Sequence, residues 1–261
     1  KILVNSRPLL VFDLDGVIID GMGEYWWSAR QACLELVGAD FAPEALPELV
    51  PEAFRLLRPW IHQGWEMVLL AAELLRSDGP LLLRGAKAFS ADYPLRCQQA
   101  LEAWGWRPAQ LQEALEHVRR RAVASDRLVW LALHRPFPGV VERLGRLQDE
   151  GVDWAVLTTK GAEFTAELLN CFQLMPKGLY GHESGSKPEV LLRLVAEQPL
   201  RGFVEDRRAT LETVLSTHGL SSLPCYLASW GYLKPEDCFA LPMGIRLLEP
   251  EALAAPLASW P

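Results

Sequence analysis

From residue 135 onward, short apolar runs alternate with helical segments, and that alternation restricts the fold more than any other feature of the chain. "VVERLGRLQDEG" is helix-patterned and leads into the strand-like "WAVLTT", the helical "AEFTAELLNCF" and the short strand "GLYG". "KPEVLLRLVAEQ" then precedes the strand "GFVED", "ATLETVLSTHG" precedes "PCYLAS", and "MGIRLL" reads as a last strand. Strands separated by helices of this length predict a parallel sheet covered on both faces. One further apolar run, "PLLVFD" at 8–13, stands alone near the N-terminus and is rich enough to be a strand buried on both sides.

Between that strand and residue 135 every strong signal is helical. "EYWWSARQACLELVG" carries apolar residues at helical spacing and stops at Gly38. "PEAFRLLRPWIHQGWEMVLLAAELLRSDG" is interrupted at Pro59 and closed by Gly79, and "PAQLQEALEHVRRRAVAS" begins with Pro108, where a missing N–H is no loss. The expected architecture is therefore α/β: a Rossmann-like parallel-sheet core from residues 1–20 and 135–261, with a helical domain, 21–134, inserted after the first core strand. Seven tryptophans (Trp26, Trp27, Trp60, Trp65, Trp104, Trp106 and Trp130) fall in the insertion and are expected to fill its small core.

The net charge of −7 argues against a nucleic-acid surface, which needs surplus Lys and Arg. Five scattered cysteines without a C-x-x-C pair suit a reducing, cytoplasmic setting rather than a disulfide framework or zinc site. "WEMVLLAAELL" is too short and too charged to span a bilayer, so no membrane partner is expected, and the N-terminal residues show no signal-peptide pattern.

In an open parallel sheet, ligands bind beyond the carboxyl ends of the strands. The residues at those ends here are Asp13 and Asp15, then Thr158 and Thr159, then Glu205 and Asp206, while "SGSKPEV" puts Lys187 at the start of a helix. Taken singly these are weak signals: a D-x-D-G is often a turn, and a Thr after a strand often caps the next helix. Together they make chemical sense. A carboxylate such as Asp13 can attack phosphorus and split one hard displacement into two easier ones. Asp15 would protonate the leaving alcohol and later deprotonate water. Two carboxylates facing a dianionic phosphate require positive charge. Mg²⁺ held by Asp13 and Asp206, together with Lys187, would supply it, and the Thr158 hydroxyl would donate to a phosphoryl oxygen.

In these residues the sequence resembles the haloacid dehalogenase superfamily, within it the phosphatases with a helical cap. "DLDGVIID" is similar to the family's first motif, "AVLTTK" to its second, "SKPEVLL" to its third and "FVEDRRAT" to its fourth. The resemblance implies Asp13 as nucleophile and Asp15 as acid/base, with the Asp15 backbone carbonyl also on Mg²⁺. It further implies Thr158 and Lys187 as phosphate binders and Asp206 as a metal ligand. Thr159 and Lys160, next to Thr158, are read as substrate contacts. The fourth motif departs from the family: the usual second acid is replaced by Thr210, and Glu205 adjoins Asp206 instead, as a candidate metal ligand whose direction the sequence leaves open. In the insertion, Arg58, His62 and Glu66 would share one face of an undisturbed helix and suit a polar substrate, or else form a solvated stripe; Arg119, Arg120, Arg121 and Arg127 read as a solvated face. The resemblance implies a Mg²⁺-dependent phosphatase that hydrolyses a small phosphorylated metabolite through an aspartyl-phosphate. A phosphomutase, or a catalytically quiet binding or assembly protein on the same fold, remains the alternative.

Overall fold

The computed structural model describes residues 6–261; the N-terminal stretch read for signal-peptide character lies outside them. The chain divides into two compact units, one running up to Asp20 and resuming over Arg135–Pro261, the other spanning Gly21–His134.

The first unit is built on six parallel strands flanked by helices: β1 (Leu9–Phe12), β4 (Asp153–Leu157), β5 (Gly178–Tyr180), β6 (Leu200–Glu205), β7 (Cys225–Ala228) and β8 (Ile245–Leu248). Their order is β5-β4-β1-β6-β7-β8, so β1 is central, with Phe12 opposite Val156 on one side and Val204 on the other. A small antiparallel ribbon joins β2 (Ile19–Asp20) to β3 (Arg135–Pro136). The helices are α8 (Val140–Arg146), α9 (Ala162–Cys171), α10 (Lys187–Glu197), α11 (Arg208–Ser216) and α12 (Pro250–Ala254).

The apolar runs alternate as a pleated strand requires. Leu9, Val11, Ala155, Leu157, Phe203, Cys225 and Leu227 share one face with Val190, Leu191 and Leu194 of α10 and Leu211 and Val214 of α11. Residues one step along point the other way: Phe12 meets Trp154 edge-on at 6.3 Å, and Tyr226 meets Trp260 at 5.3 Å. All four residues of β1 are buried, and each such side chain contributes roughly 1.5–3 kcal/mol. This is why the isolated N-terminal run becomes the middle of the sheet.

The second unit contains α1 (Met22–Val37), α2 (Glu52–Leu57), α3 (Gly64–Glu73), α4 (Pro80–Ala91), α5 (Tyr93–Trp104), α6 (Pro108–Ser125) and α7 (Arg127–Leu131). α3 is its central helix, packed on α1 and α6, and its residues from Glu66 to Glu73 are all buried. Two polar devices keep its ends satisfied. Glu73, fully buried, accepts two bonds from Arg76 and one from the Trp104 indole. At the start, Glu66 and Gln63 form a reciprocal capping box.

Two expectations are corrected here. The helix that would align Arg58, His62 and Glu66 does not exist: Pro59 sits in a 3-10 turn, Arg58–Trp60, and α3 starts afresh at Gly64. The Glu66 carboxylate, only 6% exposed, accepts from the His62 and Gln63 amides instead of facing outward beside them. Arg58 lies over the Tyr25 ring at 4.8 Å. Nor do the arginines of α6 form one solvated face, because Arg119 makes a bidentate pair with buried Glu24, which also accepts from Ser28. Of the seven tryptophans, Trp26 and Trp130 are buried; the other five are half-buried, and Trp104 and Trp106 stack at 4.7 Å.

Candidate active site

The ends of β1, β4 and β6 lie side by side, so register alone gathers the polar residues that follow them. Asp13 continues β1 by donating its amide to Val204 of β6. The chain then folds back on itself: the amides of Val17, Ile18 and Ile19 all reach the Leu14 carbonyl, and Gly16 bonds to Ile19. Gly16 adopts φ +79°, and a Cβ there would collide with the Asp206 carboxylate. The glycine of Asp13-Leu14-Asp15-Gly16 is therefore dictated both by backbone conformation and by the acid packed against it.

Lys187 is the first residue of α10, whose start is fixed by a capping box between Ser186 and Glu189. Its ammonium reaches Asp13 Oδ1 at 2.8 Å and Glu205 Oε2 at 2.6 Å. The other Glu205 oxygen accepts from the amides of Asp206 and Arg207 at 3.0 and 3.2 Å. Asp206 Oδ2 accepts from the Tyr232 amide at 2.8 Å. Glu205 thus turns into the site, settling the direction the sequence left open. Asp13, Glu205 and Asp206 are all buried and offer carboxylate oxygens within 4.8 Å of one another.

Thr158, 3% exposed, follows β4, and its hydroxyl oxygen accepts the Lys160 amide at 3.1 Å. Thr159 is exposed, and the Lys160 ammonium stands 3.7 Å from Asp15 Oδ1. Asp15 is the more accessible of the two leading aspartates, with a side chain 18% exposed. The first unit therefore brings together Asp13, Asp15, Thr158, Lys160, Lys187, Glu205 and Asp206. Arg58, His62 and Glu66 belong to the second unit.

The electrostatics follow from burial. Desolvation, the neighbouring Glu205 charge and a hydrogen bond with it push Asp13 well above the ordinary carboxylate range, against the pull of Lys187. Glu205 is raised for the same first reason, desolvation, with Lys187 opposing it. Burial alone would lower Lys187, but Asp13 and Glu205 outweigh it and hold the ammonium charged.

Three buried carboxylates against one buried ammonium leave excess negative charge, and all the donors are hard oxygens. A small divalent cation such as Mg²⁺ fits that set, and the elevated Asp13 marks the charge it would offset.

Two further residues near the site, Gly231 and Tyr232, lie in "ASWGYLKPED", a stretch the family resemblance also covers but to which it assigns no role. Tyr232 donates its amide to Asp206, and Gly231 beside it leaves no room for a Cβ, which would come within 2.5 Å of the Gly16 carbonyl oxygen.

Fold and site together define a hydrolase of the haloacid dehalogenase type. The chain belongs to the haloacid dehalogenase-like hydrolases, whose family profile matches residues 8–201. A haloacid dehalogenase-like hydrolase from Streptococcus pneumoniae is similar in structure with a TM-score of 0.56 at 15% identity, over 95% of this chain and 97% of that one. A predicted phosphoglycolate phosphatase from Haemophilus somnus gives 0.53 at 17% identity over 88% of each chain. A candidate β-phosphoglucomutase from Thermotoga maritima gives 0.55 at 15% over 95% and 96%. At these identities the likeness concerns the fold. No curated protein matches the sequence. Among the described residues no helix is long and apolar enough to cross a membrane.

Proposed function

We propose that the protein is a Mg²⁺-dependent phosphatase that hydrolyses a small phosphorylated metabolite through an aspartyl-phosphate. The observation that carries this reading is Asp13: a buried carboxylate at a strand end, 2.8 Å from a buried ammonium, in a cluster with two further acids. Asp13, the Asp15 backbone carbonyl, Glu205 and Asp206 would hold the metal, with Glu205 standing in for the acid that Thr210 cannot supply. Mg²⁺ bound there would offset the carboxylate charge and that of the phosphoryl oxygens.

An Asp13 carboxylate oxygen forms a bond to phosphorus as the bond to the leaving oxygen breaks, and Asp15 delivers a proton to that oxygen. Asp15, now a carboxylate, takes a proton from water, whose oxygen attacks phosphorus and releases Asp13 with inorganic phosphate. Lys187 holds Asp13 in line and donates to the phosphoryl group, and Thr158 donates its hydroxyl. Thr159 and Lys160 contribute to phosphate binding from the loop after β4. The helical unit, residues 21–134, serves as a cap that recognises the leaving group.

A panel of phosphomonoesters with Mg²⁺ tests this, with Asp13→Asn as control. Release of inorganic phosphate that disappears in Asp13→Asn, with an unchanged circular dichroism spectrum, supports the phosphatase. Isomerised sugar phosphate without net phosphate release would replace it with a mutase. No metal-dependent turnover of any panel member would refute both.

A further inference from the structure

The loop after β7 makes contacts that the reaction scheme does not use. Tyr232 donates its amide to Asp206 Oδ2 at 2.8 Å and its phenol hydroxyl to Asp20 Oδ1 at 2.7 Å. One residue therefore bonds two acids of different kinds. Asp206 is in the carboxylate cluster, whereas Asp20 ends β2, where its register partner is Arg135. The chain leaves the α/β unit after Asp20 and returns at Arg135, so both crossings to the helical unit pass through this two-stranded ribbon.

The loop is held rigidly enough to act as a link. Gly231 sits so close to Asp206 and the Gly16 carbonyl that any side chain would overlap both. The Trp230 indole donates to the Val17 carbonyl at 2.9 Å, fixing the loop to the turn that presents Asp15. The Tyr232 ring lies 6.2 Å from Phe137, whose own amide bonds to Ile18 just before the ribbon. Asp206 and Asp20 are thus joined through the backbone and ring of one seated residue.

We propose that Tyr232 is a positioning residue that couples the Asp206 end of the metal site to the Asp20–Arg135 ribbon, so that binding a divalent cation orders the two chain crossings. This rests on the reading of Asp13, Glu205 and Asp206 as a metal site. Coupling between two sites is reciprocal: whatever the cation does to the ribbon, fixing the ribbon does to cation affinity.

Hydrogen exchange of full-length protein with and without Mg²⁺, on peptides covering 17–22 and 133–139, reads the coupling directly, and calorimetry with Mg²⁺ alone reads binding. In the wild type, saturating Mg²⁺ slows exchange in both peptides by about fivefold or more, the lower end of ordinary intersite coupling. Tyr232→Phe keeps the ring and the amide bond to Asp206 but loses the hydroxyl; it still binds Mg²⁺, while the protection falls below about twofold. Asp20→Ala, which removes the same bond from the other side, gives the same loss, and Asp20→Asn, which keeps an acceptor oxygen, restores the protection. Full protection in Tyr232→Phe, or Mg²⁺ binding to the wild type without any change at the ribbon, would overturn the coupling and leave the metal site standing. Absence of Mg²⁺ binding to the wild type would overturn both.

Discussion

Replacing Lys187 by Met tests the charge balance of the site most directly. Met keeps the length and apolar body of the side chain and removes the one ammonium that meets both Asp13 and Glu205. Breaking a buried ion pair from one side costs about 3–5 kcal/mol, because the partner is left charged without compensation. Here the carboxylates have an escape: they bind protons. Asp13 and Glu205 already titrate above their ordinary values when folded, so above the usual carboxylate range the native state holds more protons than the unfolded chain. Stability from such groups is fully present below the unfolded pKa and is lost as pH rises through the folded pKa. Losing Lys187 raises both groups further and widens that window. Lys187→Met should therefore cost about 3–5 kcal/mol at pH 8. At pH 5 the cost should be smaller by at least about 1.4 kcal/mol, the worth of one pKa unit. Urea unfolding in EDTA, read by hydrogen exchange of the β1 and β6 peptides, isolates the α/β unit from the helical one. A cost below about 1 kcal/mol at pH 8, or one that grows toward pH 5, would refute the charge inventory.

Glu66→Ala should lower the stability of the helical unit by about 1–2 kcal/mol, the worth of a cap whose carboxylate accepts from the His62 and Gln63 amides. A raised KM with unchanged melting would instead mark Glu66 as a substrate contact. Arg143, 2% exposed, is paired bidentately with Glu150, whose carboxyl is held below its usual range chiefly by that hydrogen bond. That contribution is present above the unfolded pKa and lost as pH falls through the folded one. Glu150→Gln should therefore cost about 3 kcal/mol at neutral pH by leaving Arg143 unpaired, with the gap to wild type closing below about pH 4. Denaturant titrations at pH 7 and pH 3.5 measure both points.

The α/β core was legible because most of its strands are short, apolar and separated by helices, so that type, direction and partners follow from few rules. The same rules placed Asp13, Asp15, Thr158 and Asp206 at adjacent strand ends, and Lys187 at the start of a helix. What escaped was set by tertiary contact. β3 is two residues long and contains a proline, and only pairing with Ile19 and Asp20 makes it a strand. The surroundings of Glu66 depend on where the chain resumes helix after Pro59: α3 starts at Gly64, with Glu66 three residues after its cap Gln63, so the face an undisturbed helix would share is not formed. The direction of Glu205 depends on the Asp206 and Arg207 amides, and Tyr232 on a contact between residues far apart in sequence. No periodicity encodes either.

The position of β1 has a consequence for how the chain is made. Residues 9–12 are synthesised well before their partners, residues 153–156 and 200–204. On the ribosome the strand must remain unpaired while the whole of 21–134 emerges, which is long enough for the helical unit, with its short-range contacts, to form first. Once folded, that unit shortens the gap the strand has to close, since Asp20 and Arg135 end as neighbours. Mutations that slow folding of the insertion would then lengthen the exposure of "LLVF", four apolar residues with open edges, and appear as aggregation of nascent chains rather than as loss of stability in the finished protein.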